Sequence, residues 1–301
     1  MRHFLEIDDL SKPELDQVLH LASAASSPTV LANRAMALIF EKPSARTRNS
    51  MELAVVALGG HPVYINNEEI GLGKRETVAD ITRTMASFHA AIGARVFQHS
   101  MVEQMAAVNA VPVVNLLSDR GHPMQALADL LTIQQEFGKL RGCSVAYVGD
   151  ANNVAFSLAL AATLAGMEFR IASPAGYSFN EAALARISNV RKATQTLQIF
   201  DDPHQAVQGA NVVYTDTWTS MGQETQAAQR RNDFAGFTVD AKLMSTAAHN
   251  SIFLHCLPAH RGEEVTDDVL DGAASRVWVQ AANRMHAARG LLVWLLREAN
   301  R

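Results

Sequence analysis

Short apolar runs alternate with longer amphipathic ones through most of this chain, and that rhythm limits its fold more than any other feature. MALIF (36–40), HPVYI (61–65), AIGARVF (91–97) and VPVVNL (111–116) have the length and composition of strands. The segments between them have helical period. RTRNSMELAVVALGG sets Met51, Ala54, Val55 and Leu58 on one face before Gly59-Gly60 stops the helix, and residues 76–88 and 101–108 read as two more helices. After a long helix at 122–137, the rhythm resumes past LRGC. CSVAYVG (143–149), MEFRIASP (167–174), VVYTDTW (212–218) and IFLHCL (252–257) are strand-like, residues 153–166 are helical, and the apolar RMHAARGLLVWLLREAN closes the chain as a helix. Successive parallel strands need a crossover long enough to hold a helix, so this order predicts parallel sheets. The expected class is α/β with two domains, each a parallel β-sheet flanked by helices, hinged near residue 130.

A chain of 301 residues, 48% hydrophobic and 19% charged, suits a two-domain globular protein with a substantial core. The formal charge of −4 and the lack of a Lys/Arg run give no nucleic-acid surface. Apolar stretches such as FSLALAATLAGM are too short to span a bilayer, and the opening MRHFLEIDDL has acids where a signal peptide would be apolar. Cys143 and Cys256, the only cysteines, do not make a disulfide framework. The expectation is a cytoplasmic protein with no membrane and no nucleic-acid partner.

Chemistry collects where strands end. In IFEKPSARTRNS a strand turns into a helix whose first turn carries Ser44, Arg46, Thr47 and Arg48. Ser44 alone reads as an ordinary helix cap. Two arginines in a first turn oppose the helix dipole unless an anion compensates, and free N–H groups with guanidinium forks would bind one. In SDRGHPMQALADLL, Pro123 suits the first turn, leaving His122 at the helix start and Gln125 projecting from the same end. They read either as capping residues or as a pair suited to a carbonyl bearing an NH2 group. Arg95 interrupts an apolar strand, where a salt bridge is the ordinary explanation.

VAYVGDANNVAF occupies the position of a dinucleotide fingerprint without its second and third glycines. That argues against an NAD-linked oxidoreductase. Asn152 and Asn153 suit either an Asx turn or recognition of a small zwitterion. Asp216 stands at a strand's C-terminal end, where open α/β sheets place ligands, and Ser220-Met221-Gly222 after it reads as a lid. The segment SIFLHCLPAHRGEEV packs His255, Cys256, His260 and two glutamates into fifteen residues. A metal fits poorly, because neighbouring strand residues point to opposite faces. A Cys–His nucleophile pair lacks an obvious orienting group. A substrate loop is the third reading.

Taken in order, Ser44-Ala45-Arg46-Thr47-Arg48, His122-Pro123-Met124-Gln125, Ser220-Met221-Gly222 and His255-Cys256-Leu257-Pro258 resemble signatures of the aspartate/ornithine carbamoyltransferase family, and specifically of its ornithine enzymes. The resemblance covers nearly the whole chain. It implies a carbamoyl phosphate-binding domain at 1–130, joined by a C-terminal helix at 284–301 that packs back on it, and an ornithine-binding domain at 131–283. It implies that Ser44, Ala45, Arg46, Thr47 and Gly71 meet the phosphate end of carbamoyl phosphate. Arg95, His122 and Gln125 would meet the carbamoyl group, and Arg284 would complete that site. Asn153, Asp216, Ser220 and Met221 would hold ornithine, with Cys256 and Leu257 between the substrates. The resemblance implies no cofactor, no metal, and a homotrimer or an assembly of trimers.

Three positions depart from the family pattern: Ala45 stands for a usual Thr, Gly71 for a frequent Gln, and Ala282 for a common Glu. The implied reaction is attack of the ornithine δ-amino group on the carbamoyl carbon with expulsion of phosphate. Arg95 and His122 would stabilise the oxygen that gains charge, and Cys256 beside Asp216 would relay a proton. The alternatives are a carbamoyltransferase for another amine or an N-acylated ornithine, and an inactive binding relative. The same site would serve citrulline formation and citrulline breakdown.

Overall fold

The computed structural model describes residues 1–73, 75–190, 197–219 and 223–299. They form two compact units, Met1–Leu131 with Ala282–Arg301 and Thr132–Ala281, so the divisions fall inside the helices Pro123–Phe137 and Val277–Ala299.

The first unit holds strands β1 (Ala35–Phe40), β2 (His61–Asn66), β3 (Ala91–Arg95) and β4 (Val113–Leu117) in the order β2-β1-β3-β4, all parallel. All of β3 and nearly all of β1 are buried, as near-continuous apolar runs in a two-sided sheet should be. Met51, Ala54 and Val55 of the helix Ala45–Ala57 are buried together, which is the face the periodicity predicts. The register between β3 and β4 slips between Ala94 and Arg95. Such irregularities re-aim side chains next to functional sites.

The last helix, Val277–Ala299, packs on the helix Lys12–Ser23 through Gly290. A Cβ at Gly290 would lie 2.5 Å from the Ala22 nitrogen and 2.6 Å from the Val18 oxygen, so only glycine permits this approach. The neighbouring Arg289 donates to the carbonyls of Ala22 and Ala24 at the C-terminal end of that first helix, where the dipole favours a cation.

The second unit holds β5 (Ser144–Val148), β6 (Glu168–Ala172), β7 (Leu197–Phe200), β8 (Val212–Thr215) and β9 (Ile252–His255) in the order β7-β6-β5-β8-β9, again all parallel. Strand β7 was not among the expected elements; its LQIF is short and its burial mixed, as at the rim of a sheet. The helix Asn153–Ala165 is apolar on nearly every side and almost wholly buried.

Each sheet reverses its winding once, between β1 and β3 and between β5 and β8. Open α/β sheets leave a crevice at such points, beyond the carboxyl ends of the strands. The chemistry-bearing turns follow these strands: Ser44–Thr47 after β1, Arg95 at the end of β3, Asp150–Asn153 after β5 and Asp216 after β8.

Candidate active site

In the first unit, Ser44 caps the helix Ala45–Ala57, its Oγ accepting from the Thr47 N–H at 3.4 Å. Arg48 N–H makes the bond to Ser44 C=O at 2.9 Å. The N–H groups of Ala45 and Arg46 have no intrahelical acceptor, and both residues are exposed there. Behind them Thr47 is buried, and its Oγ1 accepts from Arg284 Nη2 at 2.8 Å and from Arg95 Nη1 at 3.4 Å. Arg284 Nη1 donates to Gln125 Oε1 at 2.8 Å, and Gln125 Nε2 donates to Asp129 Oδ1 at 2.8 Å. These two bonds fix the amide of Gln125 with its oxygen toward the guanidinium.

His122 is buried in the same cluster. Its imidazole is held well below its ordinary value of 6.5, first by burial and then by Arg284, Arg95 and Arg46. Three arginines around a histidine held neutral form a cluster whose positive charge suits an anion. Arg95, for which a salt bridge is the ordinary explanation, donates to the Thr47 hydroxyl. Gly71 ends the short helix Asn67–Ile70 in the left-handed region, at φ 57°, with its N–H donating to Asn67 C=O. No described hydrogen bond ties it to the arginine cluster.

In the second unit, Asn152 caps the helix Asn153–Ala165, its Oδ1 accepting from the N–H groups of Val154 and Ala155. Its Nδ2 donates to Asp216 Oδ2 at 3.0 Å, and Cys256 Sγ donates to Asp216 Oδ1 at 3.0 Å. One carboxylate thus holds both the helix cap and the thiol. Asn153 is the first helical residue beside it and is half-buried. Asp150 pairs with Arg230 at 2.7 Å. Burial raises the Asp150 carboxyl above its ordinary range, Arg230 opposes that shift, and Asp216 adds to it. Arg230 also donates to Trp218 C=O at 2.8 Å, fixing the loop that leaves β8. Ser220, Met221 and Gly222 lie outside the described residues.

Cys256 directly follows β9 and Leu257 sits at φ 61°. The donor atoms of Asp216, His255 and Cys256 fall within 4.8 Å of one another. Alternation along a strand therefore does not separate His255 from Cys256, because Cys256 is already beyond the strand. His255, however, uses both ring nitrogens: Nδ1 accepts from Leu257 N–H at 2.8 Å and Nε2 faces Glu264 Oε1 at 3.1 Å. His260, Glu263 and Glu264 form a second such group. There, Glu263 pairs with Arg231 and Glu264 with His255.

Asp129 is a buried acid that motif reading passed over, and Glu264, read only as one of two glutamates after the strand, is fully buried. The spacing of Asp129, four residues after Gln125 on one helix, was a usable signal.

Residues 2–135 match the model for the carbamoyl-P binding domain of aspartate/ornithine carbamoyltransferases, and residues 141–295 match that for the Asp/Orn binding domain. The ornithine carbamoyltransferase of Acidothermus cellulolyticus is 48% identical over 305 residues, covering 99% of this chain and 98% of that protein. That of Anoxybacillus flavithermus is 45% identical over 303 residues, covering 98% and 96%. The solved ornithine carbamoyltransferase of Pyrococcus furiosus superposes with a TM-score of 0.94 at 42% identity, covering 98% of this chain and 97% of that one. Two family models that together span both sheets, and relatives alike over nearly their full length, agree with the placement of the polar clusters at both crevices: the chain belongs to the aspartate/ornithine carbamoyltransferase family.

Proposed function

We propose that this protein transfers the carbamoyl group of carbamoyl phosphate to the δ-amino group of L-ornithine, giving L-citrulline and phosphate. The observation that carries this reading is the convergence of Arg46, Arg95 and Arg284 on a neutral His122 beside the capped first turn at Ser44. The phosphate group sits against the N–H groups of Ala45, Arg46 and Thr47, with Ser44 and the arginines as side-chain donors. The carbamoyl oxygen meets Arg95 and His122. Gln125 Oε1, which accepts from Arg284 with one lone pair, accepts from the carbamoyl NH2 with the other. In the second unit Asp216, Asn153, Ser220 and Met221 take the amino-acid end of ornithine.

Attack requires a neutral amine, yet a free amine of this kind has a pKa of about 10.4. The Cys256–Asp216 pair, 3.0 Å apart, is the acceptor for that proton. As charge gathers on the carbamoyl oxygen, preorganised donors such as Arg95 and His122 contribute about 3 to 4 kcal/mol each. Collapse of the tetrahedral intermediate releases phosphate into the arginine cluster. Gly71 enters this scheme only through the family resemblance.

The protein acts in the cytoplasm as a homotrimer or an assembly of trimers. Both cysteines are buried and in no disulfide, and no helix among the described residues is long and apolar enough to cross a membrane. Leu53 and Val56, about 57% and 56% exposed and three residues apart on one helix, are apolar surface that such a contact covers. Light scattering of the purified protein tests the trimer. A substrate panel of ornithine, putrescine and N-acetylornithine with carbamoyl phosphate tests the reaction. Turnover with ornithine far above the others supports the reading, and a preference for either competitor replaces it.

A further inference from the structure

Glu264 is fully buried, yet it lies two residues from the exposed turn at Gly262. A buried carboxylate is costly unless hydrogen bonds compensate it. Its Oε1 accepts from the His260 N–H at 2.6 Å and faces His255 Nε2 at 3.1 Å. The backbone settles the protonation of His255. Leu257 N–H donates to Nδ1 at 2.8 Å, so Nδ1 carries no proton and Nε2 carries the one that points at Glu264. The backbone N–H of His255 is held in turn by Gln280 Oε1 at 3.0 Å, and Gln280 donates to the Tyr214 hydroxyl at 3.2 Å. The imidazole is therefore held at both ring nitrogens and the residue at its backbone N–H.

What the clamp holds is the turn that carries the thiol. Leu257 adopts φ 61°, in the left-handed region that a leucine rarely occupies, and its N–H bond to His255 is the local compensation. Cys256 lies between the two partners of that bond, with Sγ 3.0 Å from Asp216. At the other end of the turn, His260 Nδ1 lies 3.0 Å from Thr217 Oγ1, and Thr217 directly follows Asp216. One carboxylate thus fixes both ends of the segment 255–260 and connects it to the loop of the acidic residue facing the thiol.

We propose that Glu264 is a positioning residue for the carbamoyl transfer: by fixing the Nε2-protonated form of His255, it sets the Leu257 turn and so the placement of Cys256 against Asp216. This rests on the reaction proposed above. With no accessible surface and Oε1 already committed, Glu264 acts through His255 rather than on substrate. A glutamine keeps an acceptor oxygen for both N–H groups, and an alanine does not.

The test compares wild type, Glu264→Ala and Glu264→Gln, each checked for folding by circular dichroism. Wild type must form citrulline; if it does not, the reaction is wrong, whatever Glu264 does. In active protein, Glu264→Ala is expected to lower kcat by about a hundredfold, the effect of a misplacement of about 1 Å. Its affinity for carbamoyl phosphate, measured by calorimetry, should be unchanged, because the arginine cluster proposed to hold it lies in the first unit. Glu264→Gln should recover most of the loss. Imidazole nitrogen NMR of wild type should show His255 protonated at Nε2 alone, and amide exchange at Leu257 should accelerate in the alanine variant. A folded alanine variant with wild-type kcat overturns the proposal, as does loss of carbamoyl phosphate affinity in parallel with kcat. Should neither variant fold, the wild-type spectrum still decides: protonation at Nδ1, or exchange between the two forms, overturns it.

Discussion

Arg284 donates to the hydroxyl of Thr47 at 2.8 Å across 237 residues of chain. The same guanidinium donates to Gln125, so a residue of the last helix fastens the turn after β1 to the helix that follows His122. Replacing Arg284 by methionine removes both bonds and one positive charge. Carbamoyl phosphate binding should weaken at least about tenfold, or roughly 1.4 kcal/mol, as measured by calorimetry. Arg46→Ala should weaken binding by a similar factor while leaving stability to denaturant within about 0.5 kcal/mol, because Arg46 is exposed and surface changes are usually that small. Unchanged affinity in both variants would place the phosphate elsewhere.

His122 gives a prediction in pH. Burial and three arginines depress its folded-state pKa well below 6.5. Between that depressed value and about 6.5 the unfolded chain binds the extra proton, so stability rises with pH across this window and is lost as pH falls through it. One such group contributes a slope of at most about 1.4 kcal/mol per pH unit. His122→Gln should flatten the denaturation profile between neutral pH and the acid side by up to that amount. His3 and His286, also depressed, stay in both proteins and do not affect the comparison. An unchanged slope would mean that His122 protonates freely in the folded protein.

Much of this was legible in the sequence because the signals were local. The turn after β1 had to compensate two arginines in a first helical turn, and the strand–helix rhythm demanded parallel sheets. Strand β7 escaped notice because four residues at a sheet edge leave little pattern. Asn152 was ambiguous between a cap and a ligand; in the structure Oδ1 caps the helix and Nδ2 holds Asp216. Asp129 and Glu264 were the harder cases. Asp129 stands among alanines and leucines and Glu264 beside an exposed turn, and only the fold shows the specific partner each is buried against.

The divided amide of Asn152 makes two separable losses measurable in one variant. Asn152→Ala removes the cap, at about 1 kcal/mol of stability, and frees Asp216 on one side. Denaturant unfolding should show the first loss and a raised KM for ornithine the second. Loss of stability with ornithine KM unchanged would limit Asn152 to the cap.

Cys256→Ala leaves Asp216 without the thiol. If the pair relays the proton from the amine, kcat should fall by about a hundredfold, the lower end of what acid–base groups contribute, and the pH dependence of kcat should change shape. Steady-state kinetics across pH decides it. Unchanged activity would remove Cys256 from the reaction.

Citrulline formation from carbamoyl phosphate and ornithine by the purified protein, with phosphate release followed in the same samples, is the most direct measurement. Equal amounts of citrulline and phosphate, saturating in both substrates, are the expected result. Phosphate released without citrulline, or no turnover by a folded protein, would contradict it.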